Sequence, residues 1–215
     1  MILLLYSFKT VDRNKVWVDS YSLYQADITK APNSAKLNFH YGLELSKNGK
    51  DTDDPAEKKS WYEKAKFHFQ KATDIYPTYA DAYGQLGLAF YREKNFEEAL
   101  KNYNTALSHR SQFALVHSNM GTLYSDMGNR AKAKEMYEIA VKEDPRMIDA
   151  LRNLGAINAM EGNFQEAIKW FAQGLAYDPN NVTLNRYLGS AYRDAGQPET
   201  GKPYLQKAEQ LEKGN

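Results

Sequence analysis

The chain has 215 residues, of which 42% are hydrophobic, so it is long and apolar enough to build a sizeable core. Its 28 Lys and Arg against 27 Asp and Glu give a formal net charge of +1, which argues against a nucleic-acid partner and provides no attraction to anionic lipid. Because cysteine is absent, disulfides, thiol catalysis and thiolate metal sites are excluded.

The chain begins with an apolar segment, predicted over residues 1–15. Its first eight residues, MILLLYSF, fall far short of the roughly 20 that span a bilayer, and the pattern of a secretory signal is missing. Three interpretations stay open: the end of a truncated membrane helix, an apolar tail packed on the following helices, or a disordered start. Lys9, Arg13 and Lys15 come next, and under the first interpretation they favour a cytoplasmic side.

A leading helix is predicted within residues 16–34, as the second half of a hairpin whose first half is missing or replaced. Aromatic and aliphatic residues recur there at three- and four-residue steps, and Pro32 ends the run. The next helix is predicted over residues 35–46. Residues 47–59 are rich in Gly, Asp and Lys, so we expect an insertion that forms a solvated loop or extends a helix.

Residues 150–181 predict two amphipathic helices joined as a hairpin. In each half, apolar and small residues recur at three- and four-residue spacing, which places them on one helix face. Gly162 suits the left-handed end of the first helix, and Asn163 with Glu166 predicts a capping box at the start of the second. Pro179 cannot continue a helix and ends the unit.

This hairpin recurs along the chain with a constant period, the spacing from Gly121 to Gly155. Shifting the sequence by one period superposes Gly155 on Gly121, a second shift superposes it on Gly87, and a shift in the other direction leads to Gly189. Small residues in fixed phase with aromatic ones are typical of a helical-hairpin repeat, because the small residues let two helices approach and the rings fill the space between successive hairpins. The other positions that keep their residue class in most copies are those of Leu154, Ala167, Phe171 and Pro179.

Through these positions the chain resembles the tetratricopeptide repeat family, from residue 35 to its end. The resemblance implies an all-α fold, a right-handed superhelical solenoid of helix-turn-helix repeats. About five repeats are predicted in residues 35–215. They occupy residues 35–79 with the insertion at 47–59, then 80–113, 114–147 and 148–181, and a degenerate capping repeat at 182–215.

In this family, extended peptides or partner helices lie in a concave groove lined mainly by the first helix of each repeat. Gln85, Asn119 and Asn153 each come directly before a Leu–Gly or Met–Gly pair, so they recur once per period on those helices. Their amides could pair with the N–H and C=O groups of a peptide backbone. This resembles the asparagine ladder of glycosyltransferase-associated repeat arrays. The alternative is a set of exposed amides without function.

Three arginines are further candidates for the groove. Arg152, Arg186 and Arg193 would add a positive end near the last repeats and favour an acidic ligand. Asp149 and Asp194 lie close to them in sequence and favour a solvated surface of mixed charge instead.

Nothing in the sequence predicts catalysis, a cofactor or a metal site. The four histidines are dispersed without metal-ligand spacing, and no nucleophile elbow or phosphate loop occurs. Asp51 and Asp53 form an Asp-x-Asp pattern, which is predicted to be a solvated acidic loop in the insertion. Phe39 and Leu43 occupy places where some family members carry the Lys and Asn of a two-carboxylate clamp, so that ligand is not expected.

The sequence therefore predicts a non-catalytic scaffold that binds another protein or an extended peptide, with no nucleic-acid partner. An alternative comes from the N-terminus, where Trp17, Leu23–Tyr24 and residues 32–36 resemble the junction between the last membrane helix and the repeat tail of multi-span glycosyltransferase-like membrane proteins. Under that alternative the chain is the soluble tail of a membrane protein. Its membrane contact is then limited to a truncated N-terminal helix.

Overall fold

The computed structural model describes residues 19–213, and within this range the chain forms eleven helices and no strand. The predicted all-α class is confirmed. The predicted apolar segment 1–15 and the first three residues of the leading segment lie outside the described residues. The helices are α1 Ser20–Lys30, α2 Ala35–Asp51, α3 Pro55–Ile75, α4 Ala80–Arg92, α5 Phe96–His109, α6 Ala114–Asp126, α7 Arg130–Glu143, α8 Ile148–Met160, α9 Phe164–Tyr177, α10 Val182–Asp194 and α11 Pro198–Lys213.

The chain divides into two compact units, with the boundary between Ser111 and Gln112. In unit 1, α2 packs with α3 and α4 with α5 as hairpins, α1 packs on α2, and α3 also contacts α4. In unit 2, the hairpins are α6–α7, α8–α9 and α10–α11, and each packs on the next. Among the described helices, none is long and apolar enough to cross a membrane.

Each regular hairpin is closed by a glycine that lies against an aromatic ring. A Cβ atom on Gly87 would lie 2.4 Å from the Tyr103 ring, and one on Gly121 would lie 2.6 Å from the Tyr137 ring. Both rings are fully buried. The predicted close approach of the two helices at these small residues is confirmed. Tyr137 also packs with Leu151 and Leu154 of the next hairpin, which is the position between successive hairpins that was predicted for the rings.

The turns inside the hairpins follow the prediction in one respect and depart from it in another. Gly162 has φ +78°, the left-handed conformation expected at a helix end, whereas Lys94 adopts the same region with φ 59°. The capping box predicted at Asn163 is wrong, since this side chain makes no N-cap hydrogen bond. Its Nδ2 instead donates to Oε2 of Glu161 at 3.3 Å, while Asn129 does cap α7.

The insertion lengthens both helices of its hairpin. Helix α2 has 17 residues and α3 has 21, compared with 13 and 14 in the following hairpin. Only residues 52–54 join α2 to α3, and Asp54 caps α3 by accepting from the backbone N–H of Ala56 at 2.8 Å. Of the two forms expected for residues 47–59, the structure has the helix extension.

Aromatic side chains attach the leading helix to this hairpin. The ring of Tyr21 on α1 lies 5.8 Å from that of Tyr41 and 5.7 Å from that of Trp61, centroid to centroid. At the other end of the chain, Pro203 lies inside α11, and Leu205 occupies the ring position against Gly189. The last hairpin thus keeps the packing of the others without its aromatic ring.

Candidate peptide-binding site

In unit 2 the predicted amides lie on the first helices of two successive hairpins, Asn119 on α6 and Asn153 on α8, and both are half-buried. Asn153 Nδ2 donates to the hydroxyl of Tyr137 at 2.9 Å. That hydroxyl donates in turn to Oγ1 of Thr122 at 3.0 Å. The hydrogen-bond chain runs from α8 through α7 to α6, and it fixes the Asn153 side chain while leaving its Oδ1 atom available.

The protonation state of Tyr137 keeps this hydrogen-bond chain intact at neutral pH. Burial raises the pKa of Tyr137 above its ordinary value of 10.0, although its hydrogen bonds with Thr122 and Asn153 act in the opposite direction. The phenol is therefore neutral and can donate to Thr122 while it accepts from Asn153.

Asn119 has no side-chain hydrogen bond to any residue in the described range. Thr122 lies one turn after it on α6. Asn119 is therefore close to the Thr122 end of the hydrogen-bond chain that holds Asn153. We call the surface formed by Asn119, Asn153 and Tyr187 on α6, α8 and α10 the first-helix face of unit 2. It presents one fixed amide, one unpartnered amide and one aromatic side chain.

Tyr187 is the residue of this face that the sequence reasoning missed. It lies one repeat period after Asn153, directly before Leu188–Gly189, so the period itself was the signal. Its side chain is 40% exposed, and its ring lies 5.5 Å from that of Phe171. A half-exposed tyrosine anchored on a buried ring can contact a ligand at low entropic cost.

Unit 1 carries the third predicted amide, Gln85 on α4, which is half-buried and makes no side-chain hydrogen bond within the described residues. The corresponding position on α2 is His40, which precedes Tyr41–Gly42 and stacks on Tyr24 with a centroid distance of 5.6 Å. In unit 1 this position is therefore occupied by a glutamine and by a stacked imidazole.

The three predicted arginines are each paired with a carboxylate. The closest atoms are 2.9 Å apart in the pairs Arg152–Asp149 and Arg193–Asp194, and Arg186 contacts Glu212 on α11. Since each charge is matched by a neighbour, these residues resemble a solvated surface of mixed charge more than a free positive end. Within residues 19–213, no group of three or more His, Asp and Glu residues could hold a metal ion.

Family models for tetratricopeptide repeats match residues 87–128 and 119–182 of the chain. Among curated proteins, the Hsp70-Hsp90 organizing protein of Triticum aestivum is 26% identical over 156 residues, which are 65% of this chain and 27% of that protein. Protein O-mannosyl-transferase TMTC1 of Homo sapiens is 30% identical over 87 residues, 40% of this chain and 9% of that protein. The chain thus spans less than a third of the length of either relative.

Solved structures with the same fold include PilF of Pseudomonas aeruginosa, with a TM-score of 0.71 at 21% identity over 82% of this chain and 76% of that one. YrrB, a TPR protein with an unusual peptide-binding site, has a TM-score of 0.62 at 20% identity over 89% of this chain and 93% of that one. The likeness extends well beyond the residues matched by the family models. Residues 87–182 therefore carry tetratricopeptide repeats, and the solved structures share their fold over a larger part of the chain.

Proposed function

We propose that the chain is a non-catalytic scaffold that binds an extended peptide or a segment of another protein along the first helices of its repeats. A tetratricopeptide scaffold is compatible with protein or peptide interaction. The observation that carries the proposal is the hydrogen-bond chain from Asn153 through Tyr137 to Thr122. A side chain that is held in place before binding loses little entropy when it pairs with a ligand.

The proposed contacts are to the peptide backbone. The Oδ1 atom of Asn153 would accept from a peptide N–H, and the amide of Asn119 would pair with a peptide group one helix away. Tyr187 would contact an apolar side chain of the ligand. In unit 1, the amide of Gln85 would pair with a peptide group as the amide of Asn119 does in unit 2. Arg152, Arg186 and Arg193 would contribute only after they exchange their present carboxylate partners for one on the ligand.

A peptide-display selection on the full chain, followed by fluorescence anisotropy of the selected peptide, tests the proposal. The variant Asn119→Ala with Asn153→Ala is expected to weaken binding by about tenfold or more, because two amide contacts of roughly 1 kcal/mol each are lost. The matched control is Gln165→Ala with Gln206→Ala, two exposed amides on the second helices α9 and α11. Equal affinity of the two double variants would remove the first-helix face from the proposal.

A second candidate is that the chain is the repeat portion of a membrane glycosyltransferase-like protein. It is supported by the 30% identity to human TMTC1 and by the resemblance of the N-terminal residues to a membrane-helix junction. The reading frame of the native gene upstream of the Met1 codon decides this candidate. Apolar segments of about 20 residues there would support it, and a gene whose coding sequence starts at Met1 would rule it out.

A further inference from the structure

A pocket of about 500 Å³ lies in unit 1. The first turns of α3 form one wall, with Pro55, Lys58 and Tyr62. The end of α4 forms the other, with Ala89 and Arg92. Pockets of this volume are large enough to hold one or two amino-acid side chains or a small ligand.

The insertion creates this pocket. Helix α3 is seven residues longer than the 14-residue second helix of the next hairpin. At 1.5 Å per residue the addition is about 10 Å of helix. Helix α4 has 13 residues and ends at Arg92, so the added turns of α3 stand beside the end of α4 and the side chains there meet across an open space.

The charges that line the pocket do not balance. Its two carboxylates are already paired, Glu63 with Lys59 at 3.9 Å and Glu93 with Lys66 at 2.5 Å. Lys58 and Arg92 have no carboxylate partner among residues 19–213. Two cations are therefore left for an anionic group, within a pocket whose remaining surface is mainly apolar.

Arg92 is held in position by an aromatic ring. The carbon at the centre of its guanidinium lies 4.3 Å from the centroid of the Tyr62 ring. Desolvation by neighbouring side chains lowers the pKa of the Arg92 guanidinium from its ordinary value, although the residue as a whole stays exposed. A planar guanidinium with free donors suits the two oxygens of a carboxylate.

We propose that this pocket binds an acidic side chain of a partner peptide, flanked by an apolar residue. Arg92 accepts the carboxylate through paired N–H donors, and Lys58 supplies the second positive charge. Tyr62, Pro55 and Ala89 contact the apolar neighbour. None of these residues belongs to the first-helix face of unit 2.

Titration of the full chain with the synthetic peptide Ac-GFEELG-NH2, followed by calorimetry, tests the proposal, with Ac-GFQQLG-NH2 as the neutral counterpart. The acidic peptide is expected to bind about tenfold or more tightly than the neutral one, since hydrogen bonds to charged groups are the stronger kind. Arg92→Gln should weaken binding of the acidic peptide by about the same factor. Arg92→Lys should have an affinity between that of the parent and that of Arg92→Gln, because lysine keeps the charge but lacks the paired N–H donors of the guanidinium. Lys58→Gln should cost about two- to threefold, because it contributes a single charge near water.

The control is Arg110→Gln, which removes an arginine of the same unit that already pairs with Asp81 at 2.6 Å. Its affinity for the acidic peptide should equal that of the parent. Thermal unfolding of each variant verifies that the pocket is still folded. Equal binding of the two peptides, or unchanged affinity in a folded Arg92→Gln variant, would overturn the proposal. Loss of binding in the Asn119→Ala, Asn153→Ala variant would overturn it as well, since the carboxylate would then be held on the first-helix face.

Discussion

Units 1 and 2 each contain a hairpin closed by a glycine under a tyrosine ring, and the two differ in what the tyrosine hydroxyl finds. In unit 2, the hydroxyl of Tyr137 donates to Thr122 and accepts from Asn153. In unit 1, the hydroxyl of Tyr103 is buried and has no hydrogen-bond partner within the described residues. One repeat period before Thr122, the equivalent position in unit 1 is occupied by Leu88.

This difference distinguishes the apolar packing of the repeat from its polar contacts. Packing is repeated, because the glycine and the ring must fit each other in every hairpin. Polar partners are repeated only in part: Asn119 lies one period before Asn153, whereas Leu88 stands at the position of the acceptor Thr122. Candidate binding side chains are therefore held more firmly where such a partner exists, and in this chain that is the hairpin next to Asn153.

The largest expected effect tests the packing of glycine against tyrosine, which the two hairpins share. Gly87→Ala and Gly121→Ala should each lower the free energy of unfolding by about 1–3 kcal/mol, because the added methyl group meets a buried ring. Urea unfolding followed by circular dichroism measures the loss. Ser125→Ala, an exposed change on α6, serves as the control and should stay within about 0.5 kcal/mol of the parent. A glycine variant as stable as that control would show that the ring can move aside.

The next effect tests the hydrogen bonds of the tyrosine hydroxyls, in which the two hairpins differ. Tyr137→Phe should cost about 0.5–1.5 kcal/mol, since it removes two hydrogen bonds from a buried group. Tyr103→Phe should be neutral or slightly stabilising, because no described residue loses a partner. The urea midpoints of the two variants, compared at equal slope, measure the difference. If both variants lose the same stability, the contrast between the hairpins does not hold.

A smaller effect is expected when the missing partner is supplied. Leu88→Thr places a hydroxyl at the unit 1 position that Thr122 occupies in unit 2. In that background Tyr103→Phe should become destabilising, by about 0.5 kcal/mol relative to its effect in the parent. A double-mutant cycle isolates this coupling from the cost of losing the leucine side chain. Zero coupling would mean that the two hydroxyls do not meet.

The smallest expected effect is a pH dependence that arises from His68 in unit 1. Nδ1 of His68 lies 2.9 Å from Oδ1 of Asn38, and burial lowers the pKa of His68, with Lys71 acting in the same direction. Since the folded state binds this proton less tightly than the unfolded state, the stabilisation is complete above pH 6.5 and is lost as the pH falls below it. Unfolding curves from pH 8 to pH 5 measure the effect, and His68→Gln should flatten their pH dependence. A parent chain with the same slope as this variant would contradict the prediction.

The sequence predicts the packing of this chain far better than its polar contacts. The repeat period is enough to locate the glycines and rings, because each copy repeats the same steric requirement. The failed cap at Asn163 shows the limit, since residue spacing does not set the orientation of this side chain, whose Nδ2 donates to Glu161. The pairing of Arg186 with Glu212 on α11 lies beyond sequence reasoning for a similar reason, because the two residues meet only after the last hairpin has packed.

The pocket beside Arg92 was also beyond the reach of the sequence. Its residues are spread over α3 and α4, and none of them belongs to a motif. Residues 47–59 were predicted as an insertion, but the composition left a loop and a helix extension equally open. Only the extension places Pro55 and Lys58 beside the end of α4, so the pocket depends on the one alternative that the sequence did not choose.

The way in which the insertion is built affects how this hairpin can evolve. Helix α2 is four residues longer and α3 seven residues longer than their counterparts α4 and α5. Both additions are close to whole numbers of helical turns, about one and about two. Each helix therefore keeps the orientation of its faces through the added turns, and a lineage could gain or lose the outer turns together while the repeat beneath them keeps its packing.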